Sequence, residues 1–344
     1  MLARQISYFS IIVLLFISCK SNKTAKDPYL KPAIVTFVDS TAAAKAIITD
    51  TKDGFFDQVS VVEMGIQMKK YFKNEDRSQV LNQYKSFLST QVSPWKQDER
   101  LQLTEIFNVV KALCDTLSPR LFPAGMRLIK IKTGPLGDHV YYTRERDILI
   151  PENIFPIDDP ARQIPVMIHE VFHVLSRYDE TLRKDLYRLI GFSKSPKPVR
   201  LNDHLSRRLL TNPDGVSYQY VMELPKDGGT IQAVPLITSK YDGYRSSTNA
   251  FFDYLNFDLY ELVDKGEYLE ASTTSNGQTT IPLKSTPMFF SKIKDNTQYI
   301  IHPDEIMADN FMLGLQAYSK GDFKKFSKEG KELIDQLMDR LKIL

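Results

Sequence analysis

The chain has 344 residues, 42% of them apolar and 25% charged, enough to bury a real core in one large or two modest domains. Its 45 basic and 42 acidic residues leave a formal charge of +3 with no basic block, so composition gives no reason to propose a nucleic-acid partner.

Met1 to Ser10 carries one charge, Arg4, and is followed by the apolar run Ile11 to Ile17 and then Ser18-Cys19-Lys20. A basic start, a short apolar centre and a small residue before a polar tract predict a secretory signal over 1–18. The apolar run is too short for a comfortable membrane span. Phe16-Ile17-Ser18-Cys19 resembles the bacterial lipoprotein signal, with Phe16 in place of the usual Leu. That resemblance implies export and a membrane anchor through acylated Cys19, with the outer membrane the favoured location. Residues 19–50, polar at first and carrying Pro28 and Pro32, are expected to form a tether, leaving 51–344 as the folded body. The second cysteine, Cys114, lies in an apolar helical pattern and is expected to be a buried, inert thiol.

Apolar residues three and four apart predict three helices between about 55 and 120. They are carried by Val61 to Tyr71, by Val80 to Leu88 and by Leu101 to Leu113. Arg127 to Lys132 alternates as a half-buried strand does. Gly134, Pro135 and Gly137 mark a turn, and Val140 to Thr143 and Ile148 to Ile150 predict a hairpin ended by Pro151. Helix returns over Pro160 to Leu189, with Pro165 suited to a first turn. Within the segment 193–295, Tyr218 to Val221 and Ile231 to Val234 predict strands around Gly228-Gly229. Phe323 to Leu344 predicts an amphipathic packing helix. The expected fold class is α+β, with a small mixed or antiparallel sheet and a largely helical remainder.

The run His169-Glu170-Val171-Phe172-His173 carries the chemistry. Histidines at i and i+4 share one helix face and can hold one ion. The glutamate between them points beside that ion, where it can take a proton from water. A catalytic zinc needs a third protein ligand and an open position. Glu305 is the leading candidate, in His302-Pro303-Asp304-Glu305, where Pro303 suits a helix start and the acids suit its first turn. Asp309, one turn on, can orient a histidine ligand. Asp179 and His204 are weaker candidates. Asp179 falls where metzincins place a third ligand, but Ser176 stands where they need glycine and the helical pattern runs on.

This pattern resembles the glutamate-ligand, thermolysin-like zincins, in which the third-ligand helix carries Glu followed four residues later by Asp. Here more than a hundred residues separate the two helices, which departs from that group. Tyr142 to Pro151, His169 to Arg177, Leu186 to Phe192, Asn212-Pro213-Asp214 and His302 to Phe311 together resemble a family of bacterial zincin-like metallopeptidases. The resemblance implies one zinc ion on His169, His173 and Glu305, Glu170 as general base, and a peptide or protein substrate. It also implies strand addition of substrate along the Val140 to Ile150 hairpin. The oxyanion donor is open among His204, Tyr218, Tyr220, Tyr241, Tyr244 and His302. A non-catalytic binding lipoprotein on the same scaffold, and a zinc amidase acting on cell-wall peptide, are the alternative functions.

Overall fold

The computed structural model describes residues 34–344, Asn249 excepted; the signal expected over 1–18 and Cys19 lie outside the described residues. In chain order the first elements are β1 (Thr36–Phe37), α1 (Ser40–Ala46), α2 (Phe55–Gln58), α3 (Val61–Met68), α4 (Arg77–Ser89) and α5 (Gln97–Asp115). There follow β2 (Arg127–Ile131), β3 (Tyr142–Arg144), β4 (Asp147–Pro151), α6 (Pro160–Tyr178) and α7 (Glu180–Leu189). The next stretch holds β5 (Phe192–Lys194), β6 (Val199–Leu201), α8 (Asp203–Arg208), β7 (Tyr220–Lys226), β8 (Gly229–Ser239), β9 (Leu255–Asp264) and β10 (Leu269–Ala271). Three helices close the chain: α9 (Pro287–Ile293), α10 (Pro303–Lys320) and α11 (Lys328–Lys342). The class is α+β. No helix among the described residues is long and apolar enough to cross a membrane.

Two sheets form. The first has the order β1-β2-β4-β3, with β1, β2 and β4 parallel and β3 antiparallel at one edge. The second has the order β5-β7-β8-β9-β10-β6 and is antiparallel except where β6 meets β10. The β7–β8 connection is a two-residue turn in which Asp227 (φ 50°) and Gly228 (φ 80°) are both left-handed. That conformation matches the twist of a hairpin, and an Asp-Gly pair reaches it at little cost.

The α6–α10 contact positions the site. Met167, Ile168, Val171, Phe172, Val174 and Leu175 of α6 join Ile306, Met307, Ala308, Phe311 and Leu315 of α10 in the largest buried cluster. Phe172 and Phe311 meet with ring centroids 5.5 Å apart. Each such side chain contributes roughly 1.5–3 kcal/mol on burial. Apolar packing therefore sets the spacing of the two helices, and the polar groups between them are placed by it.

Several expectations need correction. Residues 34–50 are not a tether: β1 pairs with β2, and Val35, Val38, Ala43 and Ile47 are buried. The strand is too short for its alternation to show in sequence. The helix expected over 160–189 breaks at Asp179, which ends α6 and caps α7 by accepting from the Leu182 N–H. Pro165 lies inside α6, not in its first turn, and supplies no N–H to the Ala161 carbonyl. The last helix begins at Lys328, capped by Ser327, and Phe323 and Phe326 precede it. The remainder is less helical than expected, because the segment 193–295 carries the strands of the second sheet and only the short helices α8 and α9. Cys114 is fully buried, and burial pushes its thiol up to about 12.

Candidate metal centre

His169 and His173 stand one turn apart on α6, and Glu305 stands in the first turn of α10. Helix α10 starts where it does because Pro303 occupies its first position and His302 Nδ1 accepts the Asp304 N–H at 3.0 Å. The packing brings the three residues together from 136 and 132 positions apart. Glu305 Oε2 lies 3.1 Å from His169 Nε2 and 3.5 Å from His173 Nε2. The rings meet edge to face with centroids 4.6 Å apart.

The far side of each ring is held by a carboxylate. His169 Nδ1 donates to Asp309 Oδ1 at 2.9 Å, and His173 Nδ1 donates to Asp304 Oδ2 at 2.6 Å. A proton fixed on each Nδ1 leaves each Nε2 as the available lone pair. Both carboxylates are themselves held. Asp304 Oδ1 accepts from Ser176 Oγ at 2.8 Å and from Tyr187 Oη at 2.6 Å, and Asp309 Oδ2 accepts from Thr297 Oγ1. Glu305 Oε1 accepts from Asn212 Nδ2 at 2.7 Å.

Asn212 belongs to a loop that sequence presented only within a family pattern. A Cβ on Gly215 would lie 2.0 Å from His302 Nδ1, so only glycine lets this loop approach the start of α10. Within it, Asp214 Oδ1 accepts from the Thr143 N–H and hydroxyl, both at 2.6 Å. Arg177, fully buried one turn after His173, donates to Thr143 Oγ1 at 2.8 Å and to the Pro213 carbonyl at 3.3 Å, and pairs with Asp53. This guanidinium ties α6, β3 and the 212–215 loop into one frame.

Two ligand-capable groupings result, with their donor atoms within 4.8 Å of one another: His169, Glu170 and His173, and His173, Asp214 and Glu305. Two buried atoms in this cluster have no hydrogen-bond partner, His173 Nε2 and Glu170 Oε2. An orphaned imidazole nitrogen beside a glutamate oxygen is what a bound cation satisfies. The side chains present therefore fit a divalent metal ion.

The electrostatics agree. Burial opposes protonation of His169, yet hydrogen bonding to Asp309 and Glu305 lifts it to about 9. Burial likewise opposes charge on His173, and Glu305, Asp214 and Asp304 outweigh it and raise that ring well above its ordinary value. Glu305 is held well below the usual carboxylate range: burial works against this, and the charge of His173 and the hydrogen bond from His169 prevail. The site is built to hold positive charge. Burial, with Asp214 next, raises Glu170 to about 8.

A cleft of about 500 Å³ opens over these groups, and Val140, Tyr141, Tyr299 and Met312 are among the residues that line it. The Tyr299 ring stacks on His169 with centroids 6.1 Å apart and planes at 28°. Burial and the surrounding carboxylates, Glu305 first among them, push its phenol up. Tyr141 Oη donates to Gln163 Oε1 at 2.7 Å.

The structure does not bring the other sequence candidates here. Asp179 is a helix cap. His204 packs against Gly277 in a separate pocket on the second sheet. His302 donates its Nε2 proton to the Ser217 carbonyl at 3.2 Å and is spent on capping α10. Tyr218 packs beside the cluster under the second sheet, and Tyr220 is buried against Tyr187. Tyr241 and Tyr244 border another apolar cluster. The β3 edge is also not free: Asp214 occupies the Thr143 N–H, and the open rim is the preceding segment 138–141. Tyr299 and Tyr141 were missed because seventeen tyrosines offer no local signal to separate them.

No family model, curated protein or solved structure matches this chain.

Proposed function

We propose that this chain is a zinc-dependent hydrolase of peptide bonds built on a zincin-like scaffold, exported and held at a membrane through Cys19. The observation that carries the reading is the convergence of His169 Nε2, His173 Nε2 and Glu305 Oε2, with Glu170 Oε2 unpartnered beside them. Two imidazoles and one carboxylate, each fixed from behind, suit zinc and leave room for a further ligand. Bound there, zinc would polarise a carbonyl, acidify a water and favour the ionised form of Glu170.

The protein's own groups do the rest. Glu170 accepts a proton from the attacking water and delivers it to the leaving amine, so water is divided between the new acid and the new amine. The Tyr299 phenol, ring-stacked on His169 at the cleft wall, donates to the carbonyl oxygen as negative charge grows there. Asp309 and Asp304 keep both rings in the tautomer that presents Nε2. Asn212 keeps Glu305 turned toward them.

The test is Glu170→Gln. It is expected to bind one zinc per chain as the parent does and to lose hydrolysis of a mixed peptide library by about 10²–10⁴-fold. Hydrolysis at the parental rate would overturn the mechanism.

A further inference from the structure

The charges lining the cleft are one-sided. Five carboxylates face it, those of Asp138, Glu170, Asp214, Glu305 and Asp309, and among the described residues no lysine or arginine does. Among the described residues that line it, the other basic side chains are the imidazoles of His139 and His169. Even with a dication at the centre and Glu170 uncharged, the four remaining carboxylates against two positive charges leave a negative field in a partly enclosed space, where such fields are focused. A carboxylate entering this cleft would meet no lysine or arginine to pair with.

Most of these acids are already engaged. Asp309 holds His169, and Asp214 holds Thr143. Asp138 differs: it is exposed at the mouth and has no ion-pair partner among the described residues. The turn that presents it is fixed. His139 follows in the left-handed region at φ 58°, and its N–H donates to Asn153 Oδ1 at 3.2 Å. Two aromatic side chains on the cleft wall, Phe252 and Tyr299, are 49% and 39% exposed. Aromatic faces of this kind accept the methylene stem and the charged head of lysine or arginine.

We infer that the cleft selects extended peptides carrying a lysine or arginine side chain beside the scissile bond, with Asp138 meeting the cation, and disfavours acidic ones. This rests on the hydrolase reading above and adds the substrate class to it. The test separates the two. Zinc-loaded full-length Glu170→Gln protein is titrated with fluorescent peptides that are identical except for lysine or glutamate at the flanking position. At low salt the lysine peptide should bind at least about tenfold more tightly, and 0.5 M salt should shrink that ratio by screening. Adding Asp138→Asn should shrink it about fivefold, as expected for losing one partly exposed charge pair. Equal binding, tighter binding of the glutamate peptide, or a ratio unmoved by Asp138→Asn would overturn the inference. A lysine preference in binding, combined with a parent that cleaves neither peptide, would instead sustain the inference and count against hydrolysis.

Discussion

Asp309 Oδ1 accepts the Nδ1 proton of His169 at 2.9 Å, so a carboxylate on α10 decides which nitrogen of a ring on α6 stays free. The same helix supplies Glu305 one turn earlier. In the proposed centre one element would thus contribute a ligand and the group that orients another.

Removing that group should cost metal affinity before it costs fold. Asp309→Ala is expected to weaken zinc binding by about 10–100-fold, measured by chelator competition, with little change in thermal midpoint. Asp304→Ala should lower both, because the Asp304 carboxylate also receives Ser176 and Tyr187 in a site that is 1% exposed. Its loss leaves buried donors unpaired, each at about 1–3 kcal/mol.

Tyr299→Phe keeps the ring against His169 and deletes only the phenol. The zinc affinity should therefore stay at the parental value while kcat falls by about 10²–10³-fold, the range for losing one donor to a developing oxyanion. A fall in zinc affinity matching the fall in kcat would show that the ring, not the hydroxyl, matters.

The residues that converge at the candidate centre were legible in sequence because helical periodicity is strict. His169 and His173 share a face at i and i+4, and Glu305 and Asp309 repeat that spacing on a helix announced by Pro303. Asp304 was visible only as an acid favoured in a first turn, and its bond to His173 depends on how far apart the two helices pack. Asp214, Asn212 and Tyr299 come from loops, where no periodicity says which way a side chain points. The β1–α1 segment was hidden by brevity: two strand residues carry no readable alternation. The break at Asp179 was hidden because neither glycine nor proline marks it, and apolar residues continue at helical spacing on both sides.

A buried acid outside the histidine–glutamate cluster makes a pH prediction. Glu63 accepts from the Thr211 N–H at 2.7 Å and from Gln67 Nε2 at 3.0 Å. Burial outweighs these bonds and the Arg144 charge, and raises it from 4.5 to about 8. The folded state therefore holds this proton more tightly than the unfolded chain does. Its contribution is complete below about pH 4.5 and is lost as pH rises through about 8. Urea denaturation from pH 4.5 to 8.5 should show the parent losing stability relative to Glu63→Gln by an amount on the order of a few kcal/mol. A constant difference across that range would contradict the assignment.

The most direct measurement is anomalous scattering at the zinc edge from crystals of the zinc-loaded chain. The account predicts one full-occupancy peak in contact with His169 Nε2, His173 Nε2 and the Glu305 carboxylate, with Glu170 beside it and not bound. Zinc held elsewhere, or a centre that omits Glu305, would contradict it.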